Sequence, residues 1–318
     1  MRNSLYAALL LGAGALVALP AAAADLRIGL QDDPDMLDPD QSRSFVGRIV
    51  YTSLCDKLVD ITPGLEIIPQ LATSWTWSED GTELMMDLRE GVTFHDGTAF
   101  DAEAVKANLE RSKTLPESRR KSEVKSIESV EVTGPLQVKI TLAQPDATLL
   151  AQLADRAGMM VSPKAAAEAG ADFASNPVCS GPFKFVERVQ QDRIVLERFA
   201  DYWNADKIHF DKVTFLPIPD TTVRLANLRA GDLDMLERLA ATDAASVKSD
   251  AELTYADAVS LGYQGITVNV GNGERADTPI GRQAKLRQAF ELTLDRDAIN
   301  QVVFEGVPSH PDAGRMWR

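Results

Sequence analysis

The sequence predicts a mixed α/β protein, on three observations. Asp80-Gly81 and Asp96-Gly97 each sit between short apolar runs, the strongest short-range hairpin signal. Residues 213–236 alternate strand, helix and strand, with Gly231 placed to stop the helix, which reads as a parallel βαβ unit. The chain has 318 residues, 45% hydrophobic and 25% charged, enough for two domains that each carry a core.

Residues 1–24 read as a cleavable signal peptide, with Arg2 ahead of a short apolar run and Ala22-Ala23-Ala24 before Asp25. The run is too short, and too soon ended by Pro20, for a membrane span. No cysteine lies near the cleavage site, so a soluble periplasmic protein without a lipid anchor is expected. The net charge of −14 argues against a nucleic-acid partner, which needs a basic surface. Cys55 and Cys179 can form one disulfide in an oxidising compartment, or stand as two buried thiols.

Residues 26–30 read as a strand. The proline-punctuated loop with Asp32, Asp33, Asp35 and Asp38 lacks metal-ligand spacing and reads as solvated. Phe45, Val46, Ile49, Val50 and Leu54 form a helical stripe. Residues 74–77 and 84–88 pair across Asp80-Gly81. Asp101 then caps a helix stapled by Phe100 and Val105, with Lys106, Asn108 and Glu110 outward. The basic run 113–125 reads as a solvated face. Residues 127–133 and 136–142 form another hairpin, 148–153 a short helix, 159–161 a buried strand, and Pro163 starts a helix. Residues 184–188 and 193–199 pair as strands, and Tyr202 and Trp203 read as packing anchors. In the βαβ unit, Val223, Ala226 and Leu228 face inward, and 232–236 is the second strand. Residues 261–269 read as a strand, 282–293 as an amphipathic helix, and Asp295 opens a last helix.

The stretch 69–112 resembles the signature of the family 5 extracellular solute-binding proteins, the peptide, nickel and glutathione-type receptors of ABC importers. It carries Pro69, Leu71-Ala72, Ser74-Trp75, Asp80-Gly81, Leu88-Arg89, Gly91-Val92 and Phe94-His95-Asp96-Gly97 in that family's order. Leu37-Asp38-Pro39, Gly181-Pro182-Phe183, Tyr202-Trp203 and Gly231-Asp232-Leu233-Asp234 match further family motifs. Cys179 and Ser180 stand where the family's loop has Gly and Thr.

The resemblance implies a bilobal periplasmic-binding-protein-like fold of the class II type. Residues 25–54 and 157–262 would form the core of lobe I, and 55–156 an inserted, hairpin-rich subdomain. Residues 263–318 would begin an incomplete lobe II, because family members continue further. The implied function is capture of a dipeptide or short oligopeptide by lobe closure and delivery to inner-membrane permease subunits. Glutathione, a nickel chelate, another small solute or a peptide-sensing role remain alternatives. A monomer without cofactor is expected.

Arg43, Ser44 and Phe45 fall where the family lines its cleft, although Phe45 can equally be core. Glu237 and Arg238 sit at the carboxyl end of a parallel strand, where ligands bind, or form an exposed pair. Gln264 and Gly265, on the strand that crosses between lobes, complete the expected ligand set. His95, His209 and His310 have no metal spacing, and no nucleophile stands beside a base, so an enzyme is not expected.

Overall fold

The computed structural model describes residues 24–258 and 265–305. Residues 1–23 of the expected signal peptide, and Gln264, lie outside the described residues.

Strand β1 (Asp25–Leu30) leads through a long loop into helix α1 (Phe45–Leu54). Strands β2 (Val59–Ile61) and β3 (Ile67–Pro69) make a small hairpin. Strands β4 (Ala72–Trp77) and β5 (Glu83–Leu88) pair antiparallel across the Asp80-Gly81 turn. There Gly81 takes φ +69°, and the Asp80 carboxylate accepts from Ser78 Oγ and from the amide and hydroxyl of Thr82. Asp101 Oδ1 accepts from the Ala104 amide at 2.9 Å and starts α2 (Ala102–Thr114). Strands β6 (Ile127–Gly134) and β7 (Gln137–Leu142) complete a four-stranded antiparallel sheet of order β4-β5-β7-β6.

Helices α3 (Leu149–Leu153) and α4 (Pro163–Ala169) bring the chain back to a second sheet. Its later strands are β8 (Phe183–Val189), β9 (Arg193–Arg198) and β10 (Lys212–Pro217). Helix α5 (Thr221–Ala230) ends on Gly231 at φ +79° and feeds β11 (Met235–Leu236). The sheet order is β11-β1-β10-β9-β8, with β1 parallel to both β10 and β11. Helices α6 (Ala244–Lys248), α7 (Pro279–Arg282), α8 (Ala284–Leu292) and α9 (Arg296–Phe304) follow.

Each sheet carries its own core. Leu84, Met86 and Leu88 of β5 pack with Val105 and Leu109 of α2 in a cluster drawn from residues 58–160. Ile28, Leu30, Val50, Leu54, Leu196 and Phe215 belong to the other, drawn from 28–55 and 159–215. The chain crosses between them twice, side by side: the Leu58 amide donates to Gly158 O at 2.9 Å and the Met160 amide to Asp56 O at 3.0 Å. A disulfide joins Cys55 to Cys179 beside this crossing, with Cα atoms 4.9 Å apart.

Several elements differ from the sequence expectation, the first three through long-range polar pairings. The aspartate loop is not simply solvated: Asp38 is buried and takes a two-pronged contact from Arg111, at 2.7 and 3.1 Å. The basic run is not simply a solvated face either, because Arg120 is buried and donates to Ser42 O at 3.1 Å. Asn108 faces inward, where its amide bonds the carbonyls of Ala104 and Val161 and its oxygen takes the Val161 amide. Residues 159–161 form two isolated bridges, to Lys57 and Cys179, and no strand. On α5 the buried pair is Arg224 and Leu225, while Val223 and Ala226 are exposed. The strand expected over 232–236 shortens to Met235–Leu236, and the described part of 261–269 is not a strand. The helix expected over 282–293 breaks at Gln283, which separates α7 from α8.

Candidate ligand-binding site

Because β1, β10 and β11 are mutually parallel, they end on one edge, at Leu30, Pro217 and Leu236. Ligands in open α/β sheets lie outside this carboxyl edge. A cavity of about 560 Å³ opens there, lined among others by Gln31, Pro219, Arg224, Arg238, Tyr255 and Phe304. That volume lies within the range of small-molecule sites.

Backbone geometry draws the strand ends together. The Glu237 amide donates to Gly29 O at 2.9 Å, and the Gln31 amide donates to Glu237 Oε2 at 3.1 Å. Burial raises the pKa of the Glu237 carboxyl, against the opposing pull of the Gln31 amide, Arg224 and Arg238. Arg238 takes the left-handed conformation at φ +62° and keeps its side chain exposed at the rim. Arg224 is buried and donates to the carbonyls of Ile218, Pro219 and Arg238. Burial lowers its pKa, with Glu237 and Asp220 opposing.

The expected site residues divide. Arg238 lines the cavity and Glu237 stands beside it through Gln31. Arg43, Ser44, Phe45 and Gly265 are not part of its lining. Ser44 is the N-cap of α1, accepting from the Gly47 amide at 3.1 Å, and the Arg43 amide donates to Asp35 at 2.8 Å. Partial burial works against the ionised Asp35, yet donors from Ser42, Arg43 and Ser44 outweigh it and hold its pKa at about 2. Phe45 is 53% exposed, which removes the core reading, and the Arg48 guanidinium lies 5.9 Å from its ring centroid. Gly265 is exposed on an irregular segment.

Sequence reasoning missed Gln31, Arg224 and Tyr255. Gln31 is the first residue beyond β1, so the rule that picked out Glu237 and Arg238 could have found it. Tyr255 lies in an irregular segment with no local signal. Among the described residues no group of three or more metal-ligating side chains occurs. His95 is structural: burial lowers its pKa to about 4, and its Nε2 lies 3.0 Å from Gly181 O.

Residues 66–311 match the family model described as bacterial extracellular solute-binding proteins, family 5 Middle. The chain belongs to this family. This family 5 chain is 33% identical over 295 residues to the glutathione-binding protein GsiB of Pectobacterium atrosepticum, covering 92% of itself and 56% of that protein. It is similar to the crystal structure of NikZ from Campylobacter jejuni in complex with Ni(L-His), at TM-score 0.77 and 26% identity, over 89% of this chain and 55% of that one. DppA from Helicobacter pylori, in complex with peptide STSA, shares the fold at TM-score 0.77 and 23% identity, over 89% and 59% of the two chains. The family 5 chain thus spans somewhat more than half the length of these relatives. Among its described residues no helix is long and apolar enough to cross a membrane.

Proposed function

We propose that this chain is the periplasmic solute-binding component of an ABC importer, capturing a dipeptide or short oligopeptide for a membrane permease. The observation that carries this reading is the cavity at the joined carboxyl ends of β1, β10 and β11, with the exposed Arg238 at its rim. An arginine fork there suits a carboxylate, which every unmodified peptide presents. Residues 25–54 and 157–262 act as the core of the first lobe, 55–156 as its inserted subdomain, and 263–318 as the start of the second. The two separate core clusters support the division near 55 and 157. Arg43 and Phe45, exposed at the start of α1, contribute to the face on which the second lobe closes. The protein acts as a monomer.

Glutathione is the second reading, favoured by the similarity to GsiB. A thermal-shift panel of dialanine, trialanine, glutathione, nickel–histidine and glucose tests both readings. Ligand at a hundred times its Kd stabilises the folded state by about 2.7 kcal/mol. Dialanine or trialanine should raise the melting temperature, glutathione should do so alone if the second reading holds, and glucose should not. Stabilisation by glucose with no response to any peptide would sink the assignment.

A further inference from the structure

Resting on the binding reading above, we infer that Arg224 is the positioning residue of this cavity. Its buried guanidinium ties the ends of β10 and β11 together and holds Arg238 in the left-handed turn that presents its side chain to the ligand.

Asp220 caps α5 directly after β10, accepting from the Val223 amide at 2.9 Å, so Arg224 falls in the first helical turn. Side chains there lean toward the helix start, which sends Arg224 back over the strand ends. Its stem crosses β1 at Gly29, where an added Cβ would stand 3.4 Å from Arg224 Cδ and 2.6 Å from Leu233 Cδ1. The glycine is required by Leu233, and the Arg224 stem packs over it at ordinary contact distance.

The head group then spans two segments. Nη1 donates to the carbonyls of Ile218 and Pro219, just beyond β10, while Nη2 donates to Arg238 O at 3.0 Å, just beyond β11. A planar guanidinium fork can face both sides at once, which an ammonium group does less well. Among the described residues no carboxylate forms an ion pair with Arg224, although it is 1% exposed. An apolar side chain would fill the same space without burying a charge. The arginine is therefore explained by the carbonyls it gathers. Arg238, in turn, has a backbone conformation unfavourable for a residue with a Cβ, and such conformations persist only when their surroundings impose them. Glu237, tied to Gly29 O and to the Gln31 amide, holds one side of that turn, and Arg224 holds the Arg238 carbonyl.

The test compares the full chain with Arg224→Met, Arg224→Lys and Arg238→Ala, using amide hydrogen exchange by mass spectrometry and calorimetric titration with dialanine and with glutathione. In Arg224→Met, amides over 235–244 should exchange about tenfold faster or more, with β8 and β9 unchanged. Affinity for whichever probe the wild type binds should fall about 10- to 100-fold in both Arg224→Met and Arg238→Ala, and less in Arg224→Lys. If Arg224→Met does not fold by circular dichroism, the Arg224→Lys comparison decides. Faster exchange spread equally through the sheet, or unchanged exchange over 235–244, would overturn the inference. So would wild-type affinity in the Arg224 variants while Arg238→Ala loses binding. Locally faster exchange in a protein that binds neither probe would remove the peptide reading and leave the hold of Arg224 on the turn standing.

Discussion

Asp56 is buried at the junction of the two cores, where its carboxylate accepts from Trp203 Nε1 at 2.6 Å and from Tyr202 Oη and Gln70 Nε2, each at 3.1 Å. The Arg89 guanidinium lies 3.8 Å over the Trp203 ring. Burial outweighs these donors and raises the pKa of Asp56 to about 6. An unfolded aspartate titrates near 4, so the folded state holds this proton more tightly. The resulting stabilisation is complete below about pH 4 and is lost as pH rises through about 6, by roughly 3 kcal/mol. The difference in unfolding free energy between the wild type and Asp56→Asn, followed by urea denaturation from pH 4 to 7, should fall by about that amount. A flat difference would contradict the account of Asp56. Tyr202 and Trp203 were legible as packing anchors from their ring type alone. Their polar partner was not, because it lies 146 residues from the tyrosine. Gly181 is the other decisive single position: a Cβ there would stand 2.5 Å from the Leu54 carbonyl carbon. Gly181→Ala should cost about 1–3 kcal/mol in the same denaturation assay, and an unchanged midpoint would contradict that close approach.

At the scale of elements, the loop between β1 and α1 is clamped by arginines from residues 111–156. Arg111 holds Asp38 and Asp40, while Arg120 and Arg156 both donate to Ser42 O, at 3.1 and 3.2 Å. Burial pushes the pKa of Asp40 up despite Arg111, so the carboxylate depends on that partner. Removing one side of a buried ion pair strands the other, so Arg111→Ala should destabilise the protein by about 3–5 kcal/mol. Chemical denaturation checks this, and a loss below about 1 kcal/mol would mean that water replaces the arginine. The β4–β5 hairpin, the Asp101 cap and the Gly231 stop were legible because turn and cap chemistry acts within a few residues. Asn108 was misplaced because its partner Val161 is 53 residues away, and helical spacing cannot report such a bond. Arg224 was missed for a different reason: its carbonyl partners are near in sequence, but periodicity ranks residues by polarity, and an arginine that serves buried carbonyls reads as an outward one.

For the whole molecule, the two cores communicate through the crossing at 55–58 and 158–160, beside the Cys55–Cys179 disulfide. The bridged cysteines are 124 residues apart, so the bond restricts a large loop of the unfolded chain. Replacing both with alanine should lower stability by about 2–5 kcal/mol, read as a shift in the urea midpoint that reductant reproduces in the wild type. No shift with either treatment would show that the junction's packing alone sets its stability. The overall α/β architecture was legible in the sequence through its hairpins and its βαβ unit. The composition of the cavity was legible only in part, because it is assembled where three chain segments meet. The central claim, that a peptide carboxylate is received at that meeting point, is most directly tested by following arginine Nε–H resonances during a dialanine titration. The Arg238 resonance should move and saturate, while that of Arg27, already paired with Asp234 at 2.8 Å, should stay. A saturable shift elsewhere with Arg238 unmoved would contradict the account.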